Sequence, residues 1–209
     1  MAGHSHGLYT CSSLGSVLVL ARFCSASVCS EENVWHLCSW FRSEAEVQLQ
    51  ELYVLFISNH HRTVPLWRQK SARGDLPVVW DYHVVLLWSR PSLDPLIFDL
   101  DSVLDFPCSL QEYTTQALRS DQDLNPQYHR LIRVIPADLF LQKFSSDRSH
   151  MKKPDGTWTM PPPSYPPIQT QETSTNLELF IQMKQDQGLG QVHSLQNFIT
   201  RFSQDPNQS

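Results

Sequence analysis

Two acids and one imidazole interrupt runs that are otherwise apolar and strand-forming. In Val78–Trp88 (VVWDYHVVLLW), Asp81 and His83 stand two residues apart, so a strand of period two puts both on one face. Asp99 interrupts Leu96–Leu100 (LIFDL), and a hairpin centred on Pro91 sets it directly opposite His83. Opposed residues have Cβ atoms about 5 Å apart. An Asp at that range accepts from one imidazole nitrogen and leaves the other as a general base. The competing reading is a buried polar pair that only satisfies itself, and spacing alone weighs the two evenly.

A base with an orienting acid needs a nucleophile. Val34, Leu37, Cys38 and Phe41 recur at helical spacing, and Ser30 followed by Glu31, Glu32 and Asn33 supplies an N-cap and an acidic first turn. The spacing predicts a helix over 31–43. Cys29 stands just before it, where the helix N-terminus lowers a thiol's pKa. Cys at a helix start, His on a strand and Asp on the next strand is the chain order of a papain- or transglutaminase-like site.

These groups need a scaffold. Leu52–Ser58 and Val64–Trp67, joined by the polar turn Asn59–Thr63, read as a hairpin, and Val78–Trp88 and Leu96–Leu100 as an antiparallel pair. Helices are expected at 111–119, at Ala137–Phe144, over 176–183 with Asn176 as cap, and after Ser194, where Leu195, Phe198, Ile199 and Phe202 share a face. Leu131–Ile135 reads as a strand. Ser145–Gln171 contains PPPSYPP and reads as a proline-stiffened loop in which Arg148 and Asp147 tie the chain, or Arg148 meets a peptide carbonyl. The fold class is therefore α/β (α+β), an antiparallel sheet flanked by helices. Residues 30–203 form one domain, 1–29 a poorly ordered leader and 204–209 a fraying tail.

Composition narrows the chemistry. The 209 residues carry 16 Lys+Arg against 21 Asp+Glu, with 14 prolines and seven glycines. A net charge of −5 with no basic run argues against a nucleic-acid partner. No Gly-rich phosphate loop is present. Leu14–Ala21 is too short to span a membrane and lacks the basic residues of a signal peptide before it. Five cysteines without a CxxC pair fit free thiols in a reducing compartment, and the histidines show no metal spacing. The expectation is a monomer of the cytosol, with the nucleus as second compartment, using neither metal nor cofactor.

Several ordered blocks resemble one family. Glu31-Glu32-Asn33-Val34-Trp35, Val79-Trp80-Asp81-Tyr82-His83-Val84-Val85, Phe98-Asp99-Leu100-Asp101 and Phe106-Pro107 are similar to the protein N-terminal glutamine amidohydrolases. So are Arg133-Val134-Ile135, Ser146 to Met151 and Pro161 to Pro166, so that the resemblance spans about 31–203. It implies a cysteine amidase of transglutaminase-like fold. That enzyme converts an N-terminal Gln of a protein or peptide to Glu with release of ammonia, and feeds the N-degron route of protein turnover. It further implies His83 as base and then acid, and Asp99 as the group that stabilises the imidazolium.

The chain departs from the family at the nucleophile. The family carries Cys immediately before Glu-Glu-Asn-x-Trp, whereas Ser30 holds that position here and Cys29 lies one residue out of register. Three accounts stand side by side: Ser30 replaces the thiol, Cys29 shifts into place, or residues 1–30 come from an alternative start or a misjoined exon. The first makes the chain a catalytically impaired binder of N-terminal Gln. For the substrate's α-ammonium, Glu31, Glu32, Asp81 and Asp101 are candidate acceptors, with Trp80 and Trp35 as walls. Pro162-Pro163-Ser164-Tyr165 fits a PPxY motif, which offers an adaptor role through WW domains or, more simply, packing.

Overall fold

A computed structural model describes residues 30–44, 47–159 and 161–203. The expected leader 1–29, with Cys29, and the tail 204–209 lie outside the described residues. The architecture is α+β. A six-stranded antiparallel sheet is ordered β6-β5-β4-β1-β7-β8, with β1 Leu52–Ser58, β4 His83–Trp88, β5 Leu96–Phe98, β6 Cys108–Ser109, β7 Leu131–Pro136 and β8 Gln191–Ser194. β2 Val64–Leu66 and β3 Val78–Trp80 form a separate two-stranded ribbon.

Both faces of the central strands are buried, which is why they read as continuous apolar runs. On one face Val54, Phe56, Val84, Leu86 and Phe98 pack against Val34, Leu37, Cys38 and Phe41 of helix α1, Ser30–Glu44. Phe41 anchors that helix, its ring 5.7 Å from Trp88 and 5.5 Å from Phe98. Phe140 of α3, Ala137–Lys143, and Phe180 of α4, Glu178–Ile181, close the same layer over Phe56. On the other face Leu55, Ile57, Val85, Leu87 and Ile97 meet Tyr113 of α2, Leu110–Tyr113, and Phe198 and Phe202 of α5, Leu195–Ser203. Truncating a core Phe such as Phe56 to Ala would cost about 3–5 kcal/mol.

Several elements differ from expectation, each for an identifiable reason. Leu52–Ser58 and Val64–Trp67 do not form a hairpin, because both edges of β1 are occupied by β4 and β7. Asn59 redirects the chain instead: its side-chain amide donates to the carbonyls of Thr63, Gln127 and His129, and its carbonyl accepts from the His61 and Thr63 amides. Val78–Trp88 is two strands. The chain bends at Asp81–Tyr82, where the Ser58 hydroxyl donates to the Asp81 carbonyl at 2.6 Å and the Asp81 carboxylate accepts from the Tyr82 amide. Asp81 is consequently exposed while His83 is buried, and the two do not share a strand face.

The helices also shift. Ser30 is itself helical in α1 rather than its cap. The predicted 111–119 helix begins as α2 and continues as a π-turn, Thr114–Leu118, closed by the Arg119 amide on the Thr114 carbonyl. The 176–183 helix shrinks to α4, because Asn176 does not cap it. That side chain bridges back to the Ser145 amide and the Lys143 carbonyl. Ser194 does cap α5, accepting from the Asn197 amide, and Ser145–Gln171 is a loop apart from one helical turn at Ser149–Met151. Cys38 and Cys108 are buried, as free structural thiols are.

Candidate active site

The β4/β5 hairpin positions the imidazole and its acid. Leu86 pairs with Phe98 and Trp88 with Leu96, so the hairpin centres on Ser92 rather than Pro91. Continued past Phe98, that register sets Asp99 beside Val85, on the same face as His83 but one diagonal step away. Diagonal partners lie about 7–8 Å apart at the backbone, within reach of an imidazole and a carboxylate. His83 Nε2 and Asp99 Oδ1 meet at 2.9 Å, with both side chains essentially inaccessible to solvent.

Asp99 is held by more than its histidine. Its Oδ1 accepts from the Asp101 amide at 2.9 Å, and its Oδ2 from Tyr113 Oη at 2.8 Å and Gln69 Nε2 at 3.3 Å. Tyr113 and Gln69 escape sequence reasoning because α2 and the segment before β3 meet Asp99 only in the folded sheet. Burial disfavours the carboxylate, but the His83 charge and these donors outweigh it and lower the Asp99 pKa. Burial likewise opposes the imidazolium, and the Asp99 charge and hydrogen bond outweigh that and raise the His83 pKa. Tyr113 is held neutral, by burial first and by Asp99 second. The second nitrogen, His83 Nδ1, is buried without a hydrogen-bond partner among the described residues.

His83 lies beneath Trp80, the rings stacked at 5.0 Å. Trp80 in turn lines a cleft of about 230 Å³ with Ser30, Glu31, Asp81, Tyr82, His150, Met151 and Thr159. The structure therefore brings Ser30, Glu31, Trp80 and Asp81 to one cleft, linked to the His83–Asp99 pair through the Trp80 ring. Glu31 is buried and its Oε1 stands 3.3 Å from His150 Nε2, too poorly aligned to count as a hydrogen bond. His150 has its pKa pulled down by burial and more strongly raised by the Glu31 carboxylate.

Glu32 turns away from the cleft. Its carboxylate forms a buried two-point pair with Arg148, Nε to Oε1 and Nη2 to Oε2, each at 2.8 Å. Arg148 Nη1 donates to the Pro163 and Tyr165 carbonyls. The carbonyls that Arg148 meets are thus its own chain's, and Asp147 accepts from the Ser149 amide and bonds the Ser149 and Thr175 side chains. Tyr165 packs its ring 4.5 Å from His36 and beneath the Arg148 guanidinium, with its hydroxyl buried. A WW groove needs that tyrosine presented, so the adaptor role loses its ligand.

One cluster could in principle hold a cation: ligand atoms of His83, Asp99 and Asp101 lie within 4.8 Å of one another. The Asp99 oxygens already accept four protein donors and His83 Nε2 is one of them, so these atoms are engaged within the protein. No helix among the described residues is long and apolar enough to cross a membrane.

The N-terminal glutamine amidase family matches residues 25–202 of the chain. Over 172 residues it is 50% identical to Protein N-terminal glutamine amidohydrolase of Danio rerio, covering 82% of this chain and 85% of that protein. The proteins of the same name from Bos taurus and Homo sapiens are 48% identical over 173 residues and 46% over 180. These cover 83% and 86% of this chain, and 84% and 88% of the two relatives. A match that takes in nearly the whole folded region, with a buried His–Asp pair beside an acidic cleft, means that the chain belongs to the N-terminal glutamine amidase family.

Proposed function

We propose that this protein hydrolyses the side-chain amide of N-terminal glutamine in proteins and peptides, giving glutamate and ammonia. The observation that carries the catalytic assignment is His83, whose Nε2 is committed to Asp99 while its Nδ1 is unpartnered. Nδ1 is the atom that moves the proton. In the family's reaction a thiol at position 30 gives its proton to the imidazole, and the thiolate attacks the carboxamide carbon. The imidazolium gives that proton to the amide nitrogen as its C–N bond breaks, so that ammonia leaves and a thioester remains. Water, deprotonated by the same nitrogen, then releases the acid. Glu31 and Asp81 face the cleft and suit the substrate's α-ammonium, and Trp80 walls the aliphatic stem. Helix start, strand histidine and following aspartate together suit a papain- or transglutaminase-like arrangement. We assign the activity to the cytosol and nucleus, acting as a monomer upstream of N-degron turnover.

The raised His83 pKa favours a second reading of this particular chain. The Asp99 carboxylate favours the imidazolium form of His83, which suits a thiolate–imidazolium pair, whereas the hydroxyl of Ser30 ionises far less readily than a thiol. The chain as it stands then binds N-terminal Gln and turns it over slowly. Ammonia release from a Gln-initiated peptide tests both readings, with N-terminal Asn, internal Gln and His83→Ala as controls. Ser30→Cys should raise the rate by orders of magnitude. An inert Ser30→Cys, or equal turnover of internal Gln, would sink the assignment.

A further inference from the structure

Glu31 and Glu32 follow position 30 directly in the first turn of α1, and both are buried, at 1% and 0% exposure. The helix N-terminus favours an anion, but two uncompensated buried carboxylates would disfavour a further negative charge at position 30. The structure answers them from a single segment. Arg148 grips Glu32 through two 2.8 Å contacts, and His150 lies 3.3 Å from Glu31. Arg148 adopts a left-handed backbone, φ 62°, and its remaining nitrogen reaches the carbonyls of Pro163 and Tyr165. His36, one turn along α1 from Glu32, stacks edge-on against Tyr165 and completes the cluster.

Stability alone is a poor reason to keep such a pair. Buried ion pairs are often matched or bettered by apolar residues of the same volume. What an apolar pair would not supply is a fixed charge balance one turn from the reacting atom. We propose that Arg148 is a positioning residue for the reaction: its fork neutralises Glu32 and pins the first turn of α1 to the Pro163–Tyr165 segment, so that the helix N-terminus favours an anion at position 30. This rests on reading position 30 as the nucleophile's place.

The test follows thiol ionisation directly, without requiring turnover. In a Ser30→Cys protein with Cys11, Cys24 and Cys29 changed to Ser, Cys38 and Cys108 are buried, so iodoacetamide labelling reports the new thiol. Its rate against pH gives that thiol's pKa. Arg148→Met should raise the pKa by about one unit, which is about a tenfold slower labelling at neutral pH. Glu32→Gln should shift it the other way, and Glu32→Gln with Arg148→Met should restore it. Arg148→Lys, which keeps charge but loses the fork, should fall between. An unmoved thiol pKa in Arg148→Met, or Glu32→Gln shifting it in the same direction as Arg148→Met, overturns the proposal whatever the melting temperatures do. Ammonia release in the same proteins should fall in kcat more than it rises in KM. If the labelling shifts appear while no variant releases ammonia, the amidase assignment fails and the electrostatic role of Arg148 stands.

Discussion

His83 and Asp99 are diagonal neighbours across the β4/β5 ladder, and the carboxylate reaches the imidazole from beyond the last paired residue, Phe98. From there Asp99 also gathers donors from Asp101, Tyr113 and Gln69, which a mid-strand aspartate facing its partner could not do. The pair is therefore braced from the loop side, while the buried His83 Nδ1 has no hydrogen-bond partner among the described residues.

Replacing Asp99 with Asn should preserve the shape and remove the charge that sustains the imidazolium. In a Ser30→Cys background, kcat for a Gln-initiated peptide should fall roughly 10²–10⁴-fold with KM little changed. Steady-state ammonia release measures this. A loss confined to KM would place Asp99 in binding instead.

Tyr113→Phe removes one of the two donors to Asp99 Oδ2. The expected destabilisation is about 1–2 kcal/mol by urea unfolding. With one donor gone, the Asp99 pKa should move up from its lowered position, carrying the acid limb of the rate profile to higher pH. An unchanged acid limb would mean that Gln69 and Asp101 suffice.

Much of this site was legible in the sequence because its members interrupt apolar runs. A charged residue inside Val78–Trp88 or Leu96–Leu100 must either be exposed or find a partner, and His83 and Asp99 found each other. What escaped was everything set by long-range pairing. Whether Val78–Trp88 is one strand or two depends on Ser58 gripping the Asp81 carbonyl, 23 positions apart in the chain. The Glu32–Arg148 pair spans 116 positions, and no local pattern announces it. Ser30 as a helical residue rather than a cap is a boundary of one residue, below the resolution of periodicity.

The pH dependence of stability follows from two opposite shifts. His83 has a raised pKa, so its contribution is full below the reference value of 6.5 and is lost as pH climbs through the folded value. Asp99 has a lowered pKa, so its contribution is present above the reference 3.8 and is lost as pH falls through its folded value. The stability difference between the wild type and His83→Ala should therefore be greatest between those two references, and shrink on either side. Melting temperatures across the range decide it, and a difference that grows above pH 7 would contradict the raised His83 pKa.

The PPxY segment gives a negative expectation with a positive control. Tyr165 is packed against His36 and Arg148, so the folded protein should not be retained by an immobilised WW domain. The isolated peptide spanning Pro161–Pro167 serves as the comparison. Tyr165→Ala should lower the melting temperature, because it strips the stacking surface from both neighbours. Retention of folded wild type, lost in Tyr165→Ala, would restore the adaptor role.

Arg133 carries the last expectation. It sits fully buried in β7, with no salt bridge among the described residues, and its guanidinium donates to the carbonyls of Gln182, Lys184, Gln187 and Leu189. Those carbonyls belong to the chain between α4 and β8, so one side chain organises a whole connection. Burial lowers its pKa, yet guanidinium starts so high that it stays charged. Gly188 tightens the same turn: its φ is 85°, and an added Cβ would run into the Leu179 carbonyl and the Arg133 guanidinium. Arg133→Met should thus strand four carbonyl acceptors at once and cost about 3–5 kcal/mol, the range for breaking a buried charged network. Arg133→Lys should recover only part of this, since one ammonium cannot span four acceptors from a single point. Urea unfolding of the two variants measures the order. Equal stability of Met and Lys would mean that water, not the guanidinium, satisfies the turn.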